Sequence, residues 1–140
     1  MKPTSKTQTI WGGIFSVSLL GMSSLALGAE DPRVLAGKEL RNAVSGKTVY
    51  LMTPIGAEIP IRYRPNGTIH STISASLAAL GGESVKSDTG RWWVVREQLC
   101  QKWNNWADKR SHCYKFRMAG SSVEWRRSDG QTGTARMSAQ

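Results

Sequence analysis

The chain has 140 residues, with 19 Lys or Arg against ten Asp or Glu and a formal net charge of +9. That length fits one domain and excludes a multidomain assembly, and two cysteines without Cys-x-x-Cys spacing exclude the usual dithiol redox centre. The charge turns the chain away from cationic partners and toward anionic ones: lipid headgroups, acidic polysaccharide or nucleic acid.

The first element is a leader. Lys2 and Lys6 precede an uncharged run from Ile10 to Leu27, and Gly28-Ala29 leads into the polar Glu30-Asp31-Pro32. A basic start, an apolar middle and a small-residue end predict a secretory signal peptide over 1–29, cleaved after Gly28 or Ala29. The alternative is an uncleaved anchor, because the run approaches the roughly 17 to 25 residues that span a bilayer. Gly12, Gly13, Gly21 and the serines weaken that alternative, and no cysteine follows the run to make a lipoprotein. The expectation is a bacterial Sec-type export to the periplasm or beyond, leaving residues 30–140 as a single β-rich domain. Without Lys2 and Lys6, 17 basic residues face the same ten acids, a net charge near +7. In an oxidising compartment Cys100 and Cys113 are expected to pair. Closing a loop of that length is worth roughly 3 kcal/mol in the chain-entropy model.

Val34 to Ser45 places Ala36, Leu40, Ala43 and Val44 on one face, and Gly46 follows where a helix-ending glycine belongs. The spacing predicts a short amphipathic helix that covers one end of a sheet or docks on a partner. Gly46-Lys47-Thr48 is no phosphate loop, since Arg41 stands where that motif needs its first glycine. Lys47 to Thr53 is the first predicted strand. Ile59, Ile61 and Tyr63 alternate with Pro60, Arg62 and Arg64 in the second, with Pro60 suited to an edge or a strand start. Pro65-Asn66-Gly67 supplies a hairpin turn, and Thr68 to Ser74 resumes the alternation. Leu77 to Asp88 is expected to be a loop or short helical turn, with Asp88-Thr89-Gly90 turning into a strand from Arg91 to Val95. Trp92 and Val94 share one face of it, Trp93 and Val95 the other, so this strand is expected to be central or capped by the helix. Leu99 to Trp103 continues after a short turn, and Asn104 to His112 forms a polar connection. Tyr114, Phe116 and Met118, then Val123 and Trp125, then Thr132 to Met137 complete the pattern. About seven or eight short strands separated by turn signals predict a mainly β domain, a small antiparallel barrel or sandwich with a short N-terminal amphipathic helix.

Positive signs of catalysis are absent from the pattern. His70 and His112 lie on different elements with no carboxylate at metal-ligand spacing, so neither metal nor cofactor is expected and no catalytic residue is assigned. No serine sits in a Gly-x-Ser-x-Gly elbow. The alternative function is a small envelope hydrolase acting on anionic glycan or lipid, with either histidine as general base. Two features stand outside the fold chemistry. Trp103, Trp106, Asp108, Lys109 and Arg110 fall in or beside the loop between the cysteines, where an exposed Trp near cations stacks on a sugar or base or anchors at headgroups. The competing reading puts Trp103 at its strand end in the core and lets Trp106 close the barrel mouth. Arg62, Arg64, Lys115, Arg117 and Arg126 form an outward basic stripe for an anionic partner, provided their strands are neighbours. An exported chain meets anionic lipid, glycan or another exported protein rather than nucleic acid.

Gly46-Lys47-Thr48-Val49 after a short helix, the Pro65-Asn66-Gly67-Thr68 hairpin, Gly90-x-Trp92, Leu99-Cys100-x-x-Trp103 and Cys113-Tyr114 together resemble a known group. They resemble the small secreted alphaproteobacterial proteins of unknown function of the DUF995-like kind, over Leu35 to about Met137. The resemblance implies a periplasmic, β-rich, disulfide-bonded domain and brings no catalytic residues with it. Gly90-x-Trp92 also resembles the Gly-x-Trp of lipocalin-like barrels and of periplasmic protease inhibitors of that shape, though there it lies near the start of the barrel. The function expected is a non-enzymatic binding or cell-envelope interaction protein whose basic surface meets anionic partners, with a protease-inhibitor module as a further alternative.

Overall fold

A computed structural model describes residues 32–138, so the leader expected over 1–29 lies outside the described residues. The chain runs β1 (Arg33–Val34), α1 (Gly37–Val44), β2 (Thr48–Met52), β3 (Glu58–Tyr63), β4 (Thr68–Thr72) and α2 (Ala75–Leu80). It continues through β5 (Ser87–Val95), β6 (Gln98–Trp103), β7 (Ser111–Ala119), β8 (Ser122–Arg127) and β9 (Thr132–Met137). Strands β2 to β9 pair antiparallel with their sequence neighbours, and β9 returns to β2, closing an eight-stranded up-and-down barrel. The domain is therefore mainly β, and a barrel rather than a sandwich. Closure leaves no central strand, because every one of the eight has two neighbours.

Alternation sets what fills the barrel. Register pairs Val49 with Ile61, Tyr63 with Ile69, Ile69 with Gly90, Trp92 with Gln101, Leu99 with Tyr114, Phe116 with Trp125 and Val123 with Ala135, all on the inner face. Their outward alternates include Arg62, Trp93, Lys115 and Arg126. Cys100 pairs with Cys113 directly across β6 and β7 on the outer face, and the two form the disulfide.

The antiparallel order puts the β3–β4, β5–β6 and β7–β8 turns at one end with α1. Leu40 and Val44 are buried against the barrel there, and the Gly37 N–H donates to the Arg96 carbonyl at 2.6 Å. The Arg41 guanidinium lies over the Trp92 ring at 4.9 Å. The helix starts later than the apolar spacing suggests, because Arg33 and Val34 pair instead with Met118 and Arg117. Strand β6 covers β7 only from Ser111 to Tyr114, and the N-terminal segment takes the β7 edge beyond it.

The other end carries the β2–β3 turn, the α2 connection, the β6–β7 connection and the β8–β9 turn. Ser74 caps α2 by accepting from the Leu77 N–H at 3.2 Å, so the region read as a loop or helical turn begins with a helix. Asp88-Thr89-Gly90, expected as a turn, lies inside β5. Gly90 serves close packing instead, because a Cβ there would overlap the Lys102 carbonyl oxygen on β6.

Candidate functional site

The barrel is not filled throughout. A cavity of about 600 Å³ opens at the end opposite α1, within the size range of small-molecule sites. Val49, Leu51, Ile61, Phe116 and Trp125 give it an apolar wall, and Met52, Thr53 and Pro54 of the β2–β3 turn form its lip with Gln131 of the β8–β9 turn. Trp125 stands edge-on to Tyr114, ring centroids 5.6 Å apart, and lies over Gly133, where a Cβ would run into its indole.

A polar ladder climbs one side. The Tyr63 hydroxyl donates to Gln101 Oε1 at 2.6 Å. Burial, reinforced by the neighbouring Tyr114, pushes the Tyr63 pKa far above that of an exposed phenol. Tyr114 follows, and burial raises its pKa too, although the adjacent Arg127 works against the shift. At the mouth Arg127 donates through Nε to Asp129 Oδ1 at 2.9 Å and through Nη2 to Oδ2, a bidentate pair. Those bonds hold the Asp129 carboxyl down to about 2. Arg127, the one cation that lines the cavity among the described residues, is thus neutralised, and what remains is an apolar chamber with hydrogen-bonding groups on one wall.

The rest of this end is covered by a bolt. Asp88 is buried on β5 and accepts from the backbone N–H groups of Thr89, Asn105 and Trp106 at 2.8–2.9 Å and from Asn105 Nδ2 at 3.0 Å. Burial opposes ionisation, yet the four donors outweigh it and hold the Asp88 carboxyl below the usual carboxylate range. Glu83 Oε1 accepts from the Ala107 N–H at 3.0 Å, and Trp106 Nε1 donates to the Val85 carbonyl at 2.8 Å. These anchors fix Ala107, Asp108 and Lys109 at φ of 53°, 53° and 56°, a left-handed turn in three successive side-chain-bearing residues. Each such residue costs about 1–2 kcal/mol, so the turn persists only because the bolt holds it.

The loop expected to carry a ligand is therefore divided. Trp103 and Trp106 are only 5% and 6% exposed, with ring centroids 5.0 Å apart, and belong to the core rather than to a stacking platform. Trp103 lies at the end of β6 in the core, and Trp106 packs into a lid over part of this barrel end, which stays open at the cavity instead of being closed by the indole. Asp108, Lys109 and Arg110 are exposed at the tip of the strained turn. The basic stripe is divided as well. Lys115 on β7 is the register partner of Arg126 on β8, and Arg117 that of Glu124, so these strands are neighbours. Strand β3 with Arg62, and Arg64 just beyond it, stands four strands from β7 by either route, on the opposite wall. Lys115 is also paired with Glu97 at 2.6 Å. His70 faces outward with Nε2 3.3 Å from Thr72 Oγ1, and His112 sits opposite Gln101 on β7. Neither histidine has a carboxylate partner among the described residues. Nor does any group of three or more His, Cys, Asp or Glu there stand ready to hold a metal ion.

The residues that shape the cavity, Tyr63, Gln101, Tyr114, Trp125 and Arg127, were not singled out by pattern. A signal exists: Gln101 interrupts the inward series Leu99 to Trp103, and Arg127 ends the series that begins with Val123 and Trp125. A polar residue on an apolar strand face asks for a partner, but only the closed barrel says which. No family model, curated protein or solved structure matches the chain. Function therefore rests on the site's own geometry.

Proposed function

We propose that this chain is an exported, non-enzymatic binding protein that holds a small, mainly apolar molecule in the open end of its barrel. The observation that carries the reading is the cavity: about 600 Å³, walled by aliphatic and aromatic side chains, with a few hydrogen-bonding groups along one side. A catalytic pocket brings together titratable groups whose environments push their pKa values toward a shared task. Here the polar groups are engaged with one another, and Arg127 is tied to Asp129. A neutral pair at the mouth suits an uncharged ligand body, or one whose charged end stays in water. The disulfide on the barrel wall supports an oxidising compartment, and the excess of basic residues supports an anionic setting such as the cell envelope.

Titration with an environment-sensitive apolar dye tests this directly. The protein is expected to bind it saturably at one site, with quenching of Trp125, and Leu51→Trp, which fills the chamber, is expected to abolish the signal. Non-saturable uptake, or equal uptake by the Leu51→Trp variant, sinks the proposal. Mass spectrometry of the protein isolated from its own host then identifies what the cavity carries.

A further inference from the structure

We infer that the open end of the barrel docks on an anionic lipid bilayer, mouth toward the membrane, so that the ligand passes between bilayer and cavity. The inference rests on the cavity reading above and names where its ligand comes from.

Six large apolar side chains are exposed among the described residues, and four of them, Met52, Ile55, Leu80 and Val85, lie at the cavity end. Ile55 is 68% and Leu80 74% exposed, each at the tip of its own connection, and Met52 lines the cavity as well as the rim. At Met52 the apolar lining of the chamber thus continues outward onto the exposed surface of this end. These tips are also rigidly presented. The Val85 carbonyl receives Trp106 Nε1, and the β2–β3 turn is closed by Thr53, whose hydroxyl donates to the Ala57 carbonyl at 2.9 Å.

Charge favours the same occupant. Lys86, Lys102, Lys109, Arg110 and Arg126 stand exposed at this end, and the strained turn holds Lys109 and Arg110 outward. Of the acids there, Glu58 is tied to Arg136 at 2.7 Å and Asp129 to Arg127, while Asp88, Glu83 and Asp108 have no cationic partner among the described residues, the first two being held by backbone amides. The end is therefore apolar at its tips and net positive around them, the combination that binds headgroups and acyl boundary together. A folded partner or second copy needs a continuous patch of roughly 800 Å² per side. Separate tips on different loops do not make one, whereas a fluid bilayer accepts each tip individually. At the cavity end, closure of the barrel also removes the free strand edge that an added peptide strand would need, since the ninth strand, β1, lies on β7 toward the α1 end.

The test uses the full chain with vesicles of phosphatidylcholine, with and without phosphatidylglycerol, read by co-sedimentation and by hydrogen exchange. Binding is expected to prefer the anionic vesicles and to protect residues 53–57 and 79–86. Ile55→Ser with Leu80→Ser is expected to weaken it by about tenfold, and Lys109→Glu with Arg110→Glu to remove the preference for anionic lipid. Both doubles alter exposed side chains, and an unchanged melting temperature shows that they fold. Undiminished binding by the serine double overturns the inference, as does protection confined to α1 or to residues 1–31. The dye titration on the same samples separates the two readings. Dye binding without vesicle binding removes the membrane inference alone, and rim-dependent vesicle binding without dye binding removes the cavity reading alone.

Discussion

The Asp88 carboxylate accepts the Trp106 backbone N–H at 2.9 Å and so locks the β6–β7 connection onto β5, eighteen residues earlier in the chain. With the Thr89 and Asn105 donors it satisfies backbone groups that would otherwise be buried without partners beneath the loop. This one carboxylate decides whether Trp106 packs on Trp103 and whether the left-handed turn beyond it forms.

Asp88→Asn keeps the shape but puts an amide where donors converge. It is expected to cost roughly 2–3 kcal/mol, since orphaned buried donors lose about 1–3 kcal/mol each. For a domain of this size that lowers the melting temperature by roughly 10 °C or more. The folded pKa of Asp88 lies below its ordinary 3.8, so its stabilisation is full above that value and is lost as pH falls through it toward the folded value. Thermal unfolding of both proteins should therefore differ at pH 7, with the gap narrowing as pH falls below 3.8. A constant gap across that range contradicts the role.

Much of this architecture is legible in the chain, and what was hidden was hidden for physical reasons. Alternation at Ile59, Ile61 and Tyr63 and the turn chemistry of Asn66-Gly67 act locally, so strand and hairpin appear in sequence as they do in space. Glycine is ambiguous: Gly67 has φ of +85° and makes a turn, whereas Gly90 lies in a strand because a neighbouring backbone leaves no room for a Cβ. The split of Arg62 from Lys115 follows from strand order, which alternation within a strand does not encode: β4, β5 and β6 lie between β3 and β7. The cavity was the least legible feature, because it is set by which inward side chains fail to meet across the barrel, a property no single strand encodes.

The disulfide joins register partners and is expected to stabilise chiefly by restricting the unfolded chain. Replacing Cys100 and Cys113 together with alanine should cost about 3 kcal/mol, visible as a matching fall in melting temperature when the wild type is reduced. A reductant that leaves the wild-type melting curve in place contradicts the pairing's contribution.

Tyr63 predicts an alkaline limit. Its folded pKa is raised by burial above the ordinary value of 10.0, so its stabilisation is fully present below that value and is lost as pH rises above it. Tyr114 shifts in the same direction and adds to the effect. Tyr63→Phe strands Gln101 Oε1 and is expected to cost about 1–2 kcal/mol at neutral pH, while losing less stability than the wild type between pH 9 and 11. Parallel decline of the two proteins in denaturant titrations over that interval would show that Tyr63 ionises freely in the folded state.

Gly133 and Trp125 face one another in the β8–β9 register, and the indole occupies the space a side chain at 133 would take. Gly133→Ala therefore pushes the ring off its seat. Overpacking of this kind typically costs about 1–3 kcal/mol. The displaced ring swings across the cavity it now borders, so dye affinity should fall together with stability. Trp125→Ala alone removes an apolar wall and the edge-on contact with Tyr114, and is also expected to destabilise. Combined with Gly133→Ala, however, it removes the clash. The double variant should then be more stable than the sum of the single losses requires, by about 1 kcal/mol or more. Additive losses across this cycle would mean that Gly133 is not the seat of Trp125, and that the cavity wall is set by something other than their contact.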